Sequence, residues 1–283
     1  MLDGRVLCDL HTHTTASDGM NKPSENVRRA SEKGLGAIAI TDHDTVAGIK
    51  EALESGGQYG VTVIPGVEIS TRASEQDIHV LGYYMDIENP ILLQRLEELR
   101  TVRDYRNEEI IDNLNKLGMD ITIDEVKMRL GELRKEGESI GRPHIAAVLV
   151  DKGYATDIRD AFNRYLAEGA AAYVMVSRIT PLEACIWISE AGGVPTLAHP
   201  GIYGNDELVI SLLESGSFKG LEVYHSDHSP EDEERYKQMA RRYHLIATGG
   251  SDYHGSRQGE VFHGDIGNRT VSKDVLEQLR LAR

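Results

Sequence analysis

The chain has 283 residues, of which 40% are hydrophobic and 27% are charged, and this ordinary balance excludes a fibrous or largely disordered protein. Its formal net charge of −15, from 31 Lys and Arg against 46 Asp and Glu, argues against binding to long duplex nucleic acid. No run of about 18 apolar residues is present, so we expect no membrane-spanning helix. Because there is no signal-peptide core and only Cys8 and Cys185 are present, we expect a cytoplasmic protein without disulfides.

Seven short segments rich in β-forming residues alternate with amphipathic segments. Strands are predicted at 5–10, 36–41, 61–69, 77–84, 194–198, 220–224 and 245–248. Helices are predicted from Pro23 to Gly34, Thr45 to Gly56, Pro181 to Gly192, Asp206 to Glu214, Pro230 to Tyr243, and Lys273 to the end of the chain. This alternation predicts a parallel sheet with crossover helices. Seven strands favour a closed or nearly closed barrel, and a doubly wound open sheet is the alternative.

Residues 88–178 interrupt the alternation with a run of helical patterns. Leu96, Leu99, Ile110 and Leu114 recur at a helical period, and three more helix-like segments follow. We therefore predict a helical insertion domain over 88–178, and a barrel built from 1–87 and 179–283. We expect the insertion to form a cap over the mouth of the barrel, where it would shield a site and select its substrate.

The densest group of metal-binding side chains lies near the start of the chain. His11 and His13 are two residues apart at the end of a predicted strand, so both imidazoles leave the same face. Two neutral imidazoles side by side can chelate a divalent metal, whereas the simpler alternative is a turn with two exposed histidines. Asp18 follows closely, and His43 comes directly after the next strand.

Similar side chains follow the later strands. Glu68 ends the third strand and His199 follows the fifth, while Asp252 and His254 follow the seventh. His79 lies within the fourth strand. Considered alone, Glu68 would be interpreted as a surface carboxylate at the end of a strand. His79 would be interpreted as a buried histidine whose hydrogen bonds are satisfied. In a (β/α) barrel, however, the carboxyl ends of the strands converge on one face, so the whole set predicts a metal site there.

Six motifs in order along the chain carry a resemblance to a known family. HTHT-ASDG, ITDHDT, GVEIS, H-LGY, AHP and GSDYH, spanning residues 11–254, resemble the PHP (polymerase and histidinol phosphatase) family of metal-dependent phosphoesterases. The chain length, the insertion and the segment GRPHIA at 141–146 resemble its stand-alone branch, which acts on nucleoside 3′,5′-bisphosphates and on the 5′ ends of short oligonucleotides. The resemblance implies a distorted (β/α)7 TIM-like barrel and two or three divalent metal ions, either manganese, iron or zinc.

The resemblance also implies three groups of metal ligands. The first group is His11, His13, Glu68 and Asp252; the second is Glu68, His79 and His199, with Glu68 bridging; the third is Asp18, His43 and His254. Adjacent divalent ions suit phosphate ester hydrolysis because they bind phosphoryl oxygens and lower the pKa of a bound water. They would also make a positive pocket in an acidic chain.

A second set of residues is predicted to protonate the leaving group and to hold the substrate. His225, just past the sixth strand, is the first candidate for the proton donor, and Asp44 is the alternative unless it only orients His43. His228, His244 and His263 are predicted to lie at the surface.

The segment around GRPHIA supplies the candidate anion contacts. Pro143 can begin a helix, so nearby N–H groups and Arg142 can cradle a second phosphate, with His144 beside them. The alternative is an arginine that pairs with an acidic neighbour. Ser139 and Arg178 are further candidates for substrate binding.

The leading functional hypothesis is a phosphoesterase for a phosphorylated small molecule, either a nucleoside 3′,5′-bisphosphate or the 5′ end of a short oligoribonucleotide. Histidinol phosphatase is the first alternative, and the anion contacts around Arg142 argue against it because they imply two phosphates. A proofreading nuclease module is disfavoured by the acidic surface. A non-catalytic metal-binding scaffold is the alternative from another class.

Overall fold

The structure is a computed structural model that describes residues 6–129, 139–257, 260–261 and 263–283. Its strands are β1 (Leu7–Asp9), β2 (Ala37–Ile40), β3 (Thr62–Ala73), β4 (Gln76–Tyr83), β5 (Val194–Leu197), β6 (Gly220–His225), β7 (Ile246–Gly250), β8 (Ser256–Arg257), β9 (Glu260–Val261) and β10 (Val271–Ser272). Its helices are α1 (Pro23–Glu32), α2 (Ile49–Tyr59), α3 (Pro90–Lys116), α4 (Ile123–Arg129), α5 (Arg142–Asp151), α6 (Ile158–Ala161), α7 (Pro181–Glu190), α8 (Asp206–Glu214), α9 (Pro230–Arg242) and α10 (Asp274–Leu281).

The main sheet has eight strands in the order β10-β1-β2-β3-β4-β5-β6-β7. Strands β1 to β3 are parallel, as are β5 to β7. The two halves meet where Leu10 N–H donates to the carbonyl of Gly249 at 3.1 Å and where Thr12 bridges to Tyr253. The sheet is therefore a nearly closed barrel with surrounding helices, which confirms the predicted TIM-like class.

The predicted parallel sheet with crossover helices is interrupted at β4, which runs antiparallel to both β3 and β5, and at β10, which runs antiparallel to β1. Ser74 and Glu75 alone join β3 to β4, with φ of 48° and 63°, so the connection is a tight hairpin with no room for a crossover helix. Because β4 is reversed, His79 in its first half lies at the same end of the barrel as the carboxyl ends of the other strands. The two-residue strand β10 was not predicted because it is too short for a pattern.

Two of the hydrophobic clusters show how the insertion is connected. Residues between Ile110 and Ala172 form a cluster of their own. The long helix α3 joins it to the barrel, because Leu92 and Leu96 pack in the barrel core while Leu114 packs in the insertion. None of the described helices is long and apolar enough to cross a bilayer.

Most predicted helices lie within a few residues of their predicted bounds, and α2 differs most at its start. It begins at Ile49 rather than Thr45, because Thr45 Oγ1 instead accepts the N–H of Ala47 at 3.1 Å in a local turn. Helix α7 begins at Pro181 as predicted, and a capping box fixes this start, because Thr180 and Glu183 satisfy each other's backbone N–H groups.

Candidate metal centre

A cavity of about 730 Å³ opens at the end of the barrel where the parallel strands finish. Its lining includes acidic and imidazole side chains from the predicted ligand set: Asp18, His43, Glu68, His79, His199, Asp252 and His254. Arginines form another part of the lining, and Ile158 and Phe162 of the insertion contribute apolar surface.

Four of the predicted ligands each place one polar atom close to the other three. His13 Nε2 lies 3.1 Å from His11 Nε2, 3.1 Å from Asp252 Oδ1 and 3.2 Å from Glu68 Oε2. His11 Nε2 lies 3.2 Å from Asp252 Oδ1 and 3.5 Å from Glu68 Oε2. Ligand atoms in tetrahedral positions around Zn²⁺, each about 2.1 Å away, are separated by about 3.4 Å. The spacing of these four atoms therefore fits a divalent cation.

The hydrogen bonding of the same atoms supports this fit. Glu68 Oε2 and Asp252 Oδ1 are buried and accept no hydrogen bond from the described residues. His43 Nδ1 is likewise buried without a hydrogen-bond partner, 3.0 Å from Glu68 Oε2. An unsatisfied buried carboxylate is costly in a folded protein unless a cation compensates it. The donor set of imidazoles and carboxylates suits Mn, Fe or Zn.

The remaining predicted ligands form two further groups around the first. Glu68 Oε1 lies 2.8 Å from His79 Nδ1 and 3.0 Å from His199 Nε2, and these two nitrogens are 3.3 Å apart. Asp18 faces His254 Nε2 at 3.3 Å and His43 Nε2 at 3.9 Å. All nine predicted ligands thus meet in one cluster, and Glu68 contacts members of all three groups.

The charges of this cluster favour a cation. Burial by itself raises the pKa of Glu68, but the neighbouring His79, His43 and His11 outweigh it and hold the pKa well below its usual value. For Asp252, the effect of burial is likewise exceeded by nearby imidazoles, with His11 the largest contributor, so its pKa is also lowered. Both carboxylates are therefore ionised at neutral pH.

Glu222 was missed by the sequence analysis. This fully buried carboxylate in β6 accepts a hydrogen bond from His11 Nδ1 at 3.0 Å and another from the backbone N–H of His199 at 2.8 Å. The register of β6 against β7 shifts between Glu222 and Tyr224, which marks a β-bulge at Val223. The bulge lets Glu222 and His225 both reach the barrel interior. A lone glutamate inside an apolar strand was the signal in the sequence.

The two predicted proton donors do not line the cavity. His225 is fully buried, its Nδ1 accepts the N–H of Asp227 at 3.1 Å, and its Nε2 therefore donates to Asp252 Oδ2 at 3.2 Å. Asp44 is buried too, and it accepts Arg103 Nε at 2.6 Å and the N–H of Ser70 at 2.8 Å. Their positions suit residues that orient Asp252 and Arg103, and they do not suit direct proton transfer to a substrate.

Of the four residues predicted to contact the substrate's second phosphate or the substrate itself, two line the cavity and two do not. Arg142 and Arg178 line it, and each approaches Asp77 Oδ2, at 3.5 and 3.3 Å respectively. His144 lies outside the lining, because its Nδ1 accepts the N–H of Gly141 at 3.0 Å and so caps α5. Ser139 is buried outside the lining as well, and its N–H donates to the carbonyl of Ala16 at 2.8 Å.

The cavity also contains residues that sequence reasoning did not select. Arg103 of α3 adds a third guanidinium to the lining. His263 is exposed, as predicted, and it also lines the cavity, with its Nε2 3.7 Å from Asp252 Oδ2 and its Nδ1 2.5 Å from Asp227 Oδ2. Burial lowers the pKa of His263, but Asp252 and Asp227 outweigh this and raise it to about 9.

Of the other two histidines predicted at the surface, one is buried and one is exposed. His228 is buried, so that prediction is wrong: its Nδ1 donates to the carbonyl of Val223 at 2.8 Å, and its Nε2 accepts the N–H of Gly201 at 3.1 Å. It thereby supports the turn that follows His199. His244 is exposed, as predicted.

Comparisons with known proteins agree on one family. The family model for the PHP domain matches residues 9–174. The chain is 37% identical over 256 residues to the 5′-3′ exoribonuclease Rnm of Escherichia coli, covering 88% of this chain and 85% of that protein. It is 32% identical over 257 residues to the 3′,5′-nucleoside bisphosphate phosphatase of Chromobacterium violaceum, covering 89% and 88%. A solved structure described as a metal-dependent phosphoesterase from Bifidobacterium adolescentis superposes with a TM-score of 0.86 at 30% identity, covering 97% of this chain and 96% of the other.

Proposed function

The chain belongs to the PHP family of metal-dependent phosphoesterases, and on that premise we propose that it hydrolyses phosphate esters of nucleotides. The proposed substrates are nucleoside 3′,5′-bisphosphates, from which it removes the 3′-phosphate, and the 5′ ends of short oligoribonucleotides. The similarity to a bisphosphate phosphatase and to an exoribonuclease supports both classes. Acidic charge over the chain as a whole argues against long duplexes as substrates.

One observation carries this proposal: a cation-binding cluster and a group of arginines line the same cavity. Glu68 and Asp252 belong to the cluster, and Arg142 and Arg178 belong to the arginine group. A substrate with two phosphates can place one at each, because guanidinium groups bind phosphate through paired N–H donors. Substrates with one phosphate would leave the arginines unused.

The nine predicted ligands would hold two or three divalent ions, which we propose to be manganese, iron or zinc. When bound, such ions bind phosphoryl oxygens and lower the pKa of a water toward neutrality. The chain's own part is to orient the ligands. Glu222 fixes His11 so that Nε2 faces the cluster, and His225 similarly fixes Asp252.

We also propose a division of the chain into two domains. Residues 1–87 and 179–283 would form the barrel, and 88–178 would form a cap that selects the substrate. The insertion supports this role because Arg103, Arg142 and Phe162 all come from it and all line the cavity. The hydrophobic cluster within the insertion would allow it to pack as a unit.

Arg142→Ala tests the proposed second phosphate contact. We expect KM for adenosine 3′,5′-bisphosphate to rise by about 10- to 100-fold, because a charge-assisted hydrogen bond to the distal phosphate is lost. KM for p-nitrophenyl phosphate, which has no second phosphate, should change little. Steady-state kinetics on both substrates measures this, with the exposed Arg129→Ala as a control. An equal rise for both substrates would refute the contact.

His263→Gln tests which residue protonates the leaving oxygen. We assign this step to Nε2 of His263 rather than to His225 or Asp44, because His263 lines the cavity and they do not. We expect kcat for the bisphosphate to fall by about 10²- to 10⁴-fold, the usual contribution of a general acid. Hydrolysis of p-nitrophenyl phosphate should fall much less, since nitrophenolate leaves without a proton. Equal losses on both substrates, or loss of bound metal, would contradict the assignment.

A further inference from the structure

A second, smaller cavity adjoins the main one and shares Asp77, Arg142 and Arg178 with it. Its volume is about 10 Å³, which is close to the space that one water-sized atom needs. We call it the arginine pocket; its lining includes Arg72, Arg106, Arg142, Arg178, Asp77 and the apolar Val176.

The arginine pocket carries more positive than negative charge. Asp77 is the one carboxylate in its described lining, and three arginines share it: Arg72 at 3.0 Å from Oδ1, Arg178 at 3.3 Å and Arg142 at 3.5 Å from Oδ2. Arg72 has a second partner in Glu168 at 2.8 Å. Two carboxylates thus face four guanidinium groups, so two positive charges are not offset by the described residues.

Among the described residues, Arg106 is the arginine of this pocket that has no acidic partner. Its side chain is 2% exposed, and Nη2 donates to Asn107 Oδ1 at 3.1 Å. Its Nε is buried without a hydrogen-bond partner, and no carboxylate of the described residues lies within ion-pair distance of it. Burial lowers the pKa of Arg106, and nearby Arg103 and Arg142 lower it further. A buried charge left in this state is strongly destabilising, so the pocket needs an anion.

We propose that the arginine pocket binds a small monovalent anion of halide size, with Arg106 as its main ligand. Its volume leaves no room for a phosphate or a nucleotide. Guanidinium groups are weakly hydrated donors, and apolar Val176 completes the wall, which suits a weakly hydrated ion such as chloride or bromide. The bound anion would offset the excess positive charge and hold the side chains of Arg142 and Arg178 in place. Both arginines also line the main cavity. The proposal does not depend on the reaction that the main cavity catalyses.

Bromide is the probe for this site. Crystals of the full chain in sodium bromide should show an anomalous difference peak beside the Arg106 guanidinium. In solution, the unfolding midpoint should be about 2–4 °C higher in sodium bromide than in sodium gluconate of equal ionic strength. Arg106→Met should abolish this difference, whereas Arg129→Met, which changes an exposed arginine outside the pocket, should retain it.

Three results would overturn the proposal. One is a crystal grown in sodium bromide that shows a water or no anomalous peak in the pocket. This crystallographic result is decisive even if Arg106→Met does not fold. Another is the same bromide-dependent stabilisation in Arg106→Met as in the unsubstituted chain. The last is a pocket empty of bromide together with a raised KM for adenosine 3′,5′-bisphosphate in Arg106→Met, because Arg106 would then serve the substrate. The bromide peak and the unfolding midpoint do not require the phosphoesterase proposal to be correct in its choice of substrate.

Discussion

Glu68→Gln is expected to abolish phosphate release, with a loss of at least about 10³-fold in kcat. Glu68 contacts all three ligand groups: Oε2 faces His13 at 3.2 Å and His43 at 3.0 Å, and Oε1 faces His79 at 2.8 Å. The amide keeps the shape of the side chain but replaces one ligating oxygen with an NH₂ group that cannot bind a cation. The groups that Glu68 contacts should therefore lose affinity for metal together.

Two measurements check this prediction: metal content by elemental analysis, and phosphate release from adenosine 3′,5′-bisphosphate with added Mn²⁺. Glu98→Gln is the matched control, because Glu98 is an exposed carboxylate on α3 outside the cavity. It should retain both metal and turnover. Full metal content and normal turnover in Glu68→Gln would refute the assignment of Glu68 as a bridging ligand.

Glu222→Gln is expected to weaken metal binding by about 10- to 100-fold, although Glu222 would not touch a metal. Its two oxygens accept from two donors, His11 Nδ1–H and the backbone N–H of His199. A glutamine has one acceptor oxygen, so its NH₂ group would face one of these N–H groups. His199 also has an unusual φ of 22°, which the hydrogen bond to Glu222 helps to hold.

A comparison with His225→Phe separates this effect from general damage to the barrel. Of the described ligands, His225 hydrogen-bonds only to Asp252, so its loss should weaken only the first ligand group, whereas Glu222→Gln should weaken the first and the second. Calorimetric titration of the chelated proteins with Mn²⁺ measures both affinities, and unfolding in the presence of chelator reports on folding. If Glu222→Gln binds Mn²⁺ as tightly as the unsubstituted chain, Glu222 does not position these histidines.

The ligand cluster could be predicted because its members stand beside strands. His11, Asp252 and His199 each follow a short apolar segment, and in a barrel those segments end on one face. The strands themselves were found from local patterns of β-forming residues. The strand positions and the barrel class are enough to place these side chains at one end, whatever the order of the strands.

Other features depend on geometry that no local pattern carries. The reversal of β4 depends on Ser74 and Glu75, which adopt positive φ without being Gly or Asn. The inward direction of His225 depends on the bulge at Val223, which changes the alternation along β6. Arg103 lies in the middle of a long helix and reaches Asp44, 59 residues away in the chain, only through the folded structure.

We propose that this chain, a PHP-family metal-dependent phosphoesterase, acts on substrates with two phosphates. The most direct measurement is inorganic phosphate release from adenosine 3′,5′-bisphosphate and from histidinol phosphate in parallel, with Mn²⁺ and with Glu68→Gln as the blank. Faster release from the bisphosphate, lost after chelation, is the predicted result, since histidinol phosphate has one phosphate and an amine that the arginines would repel. Faster release from histidinol phosphate, or release that chelation does not reduce, would contradict the account.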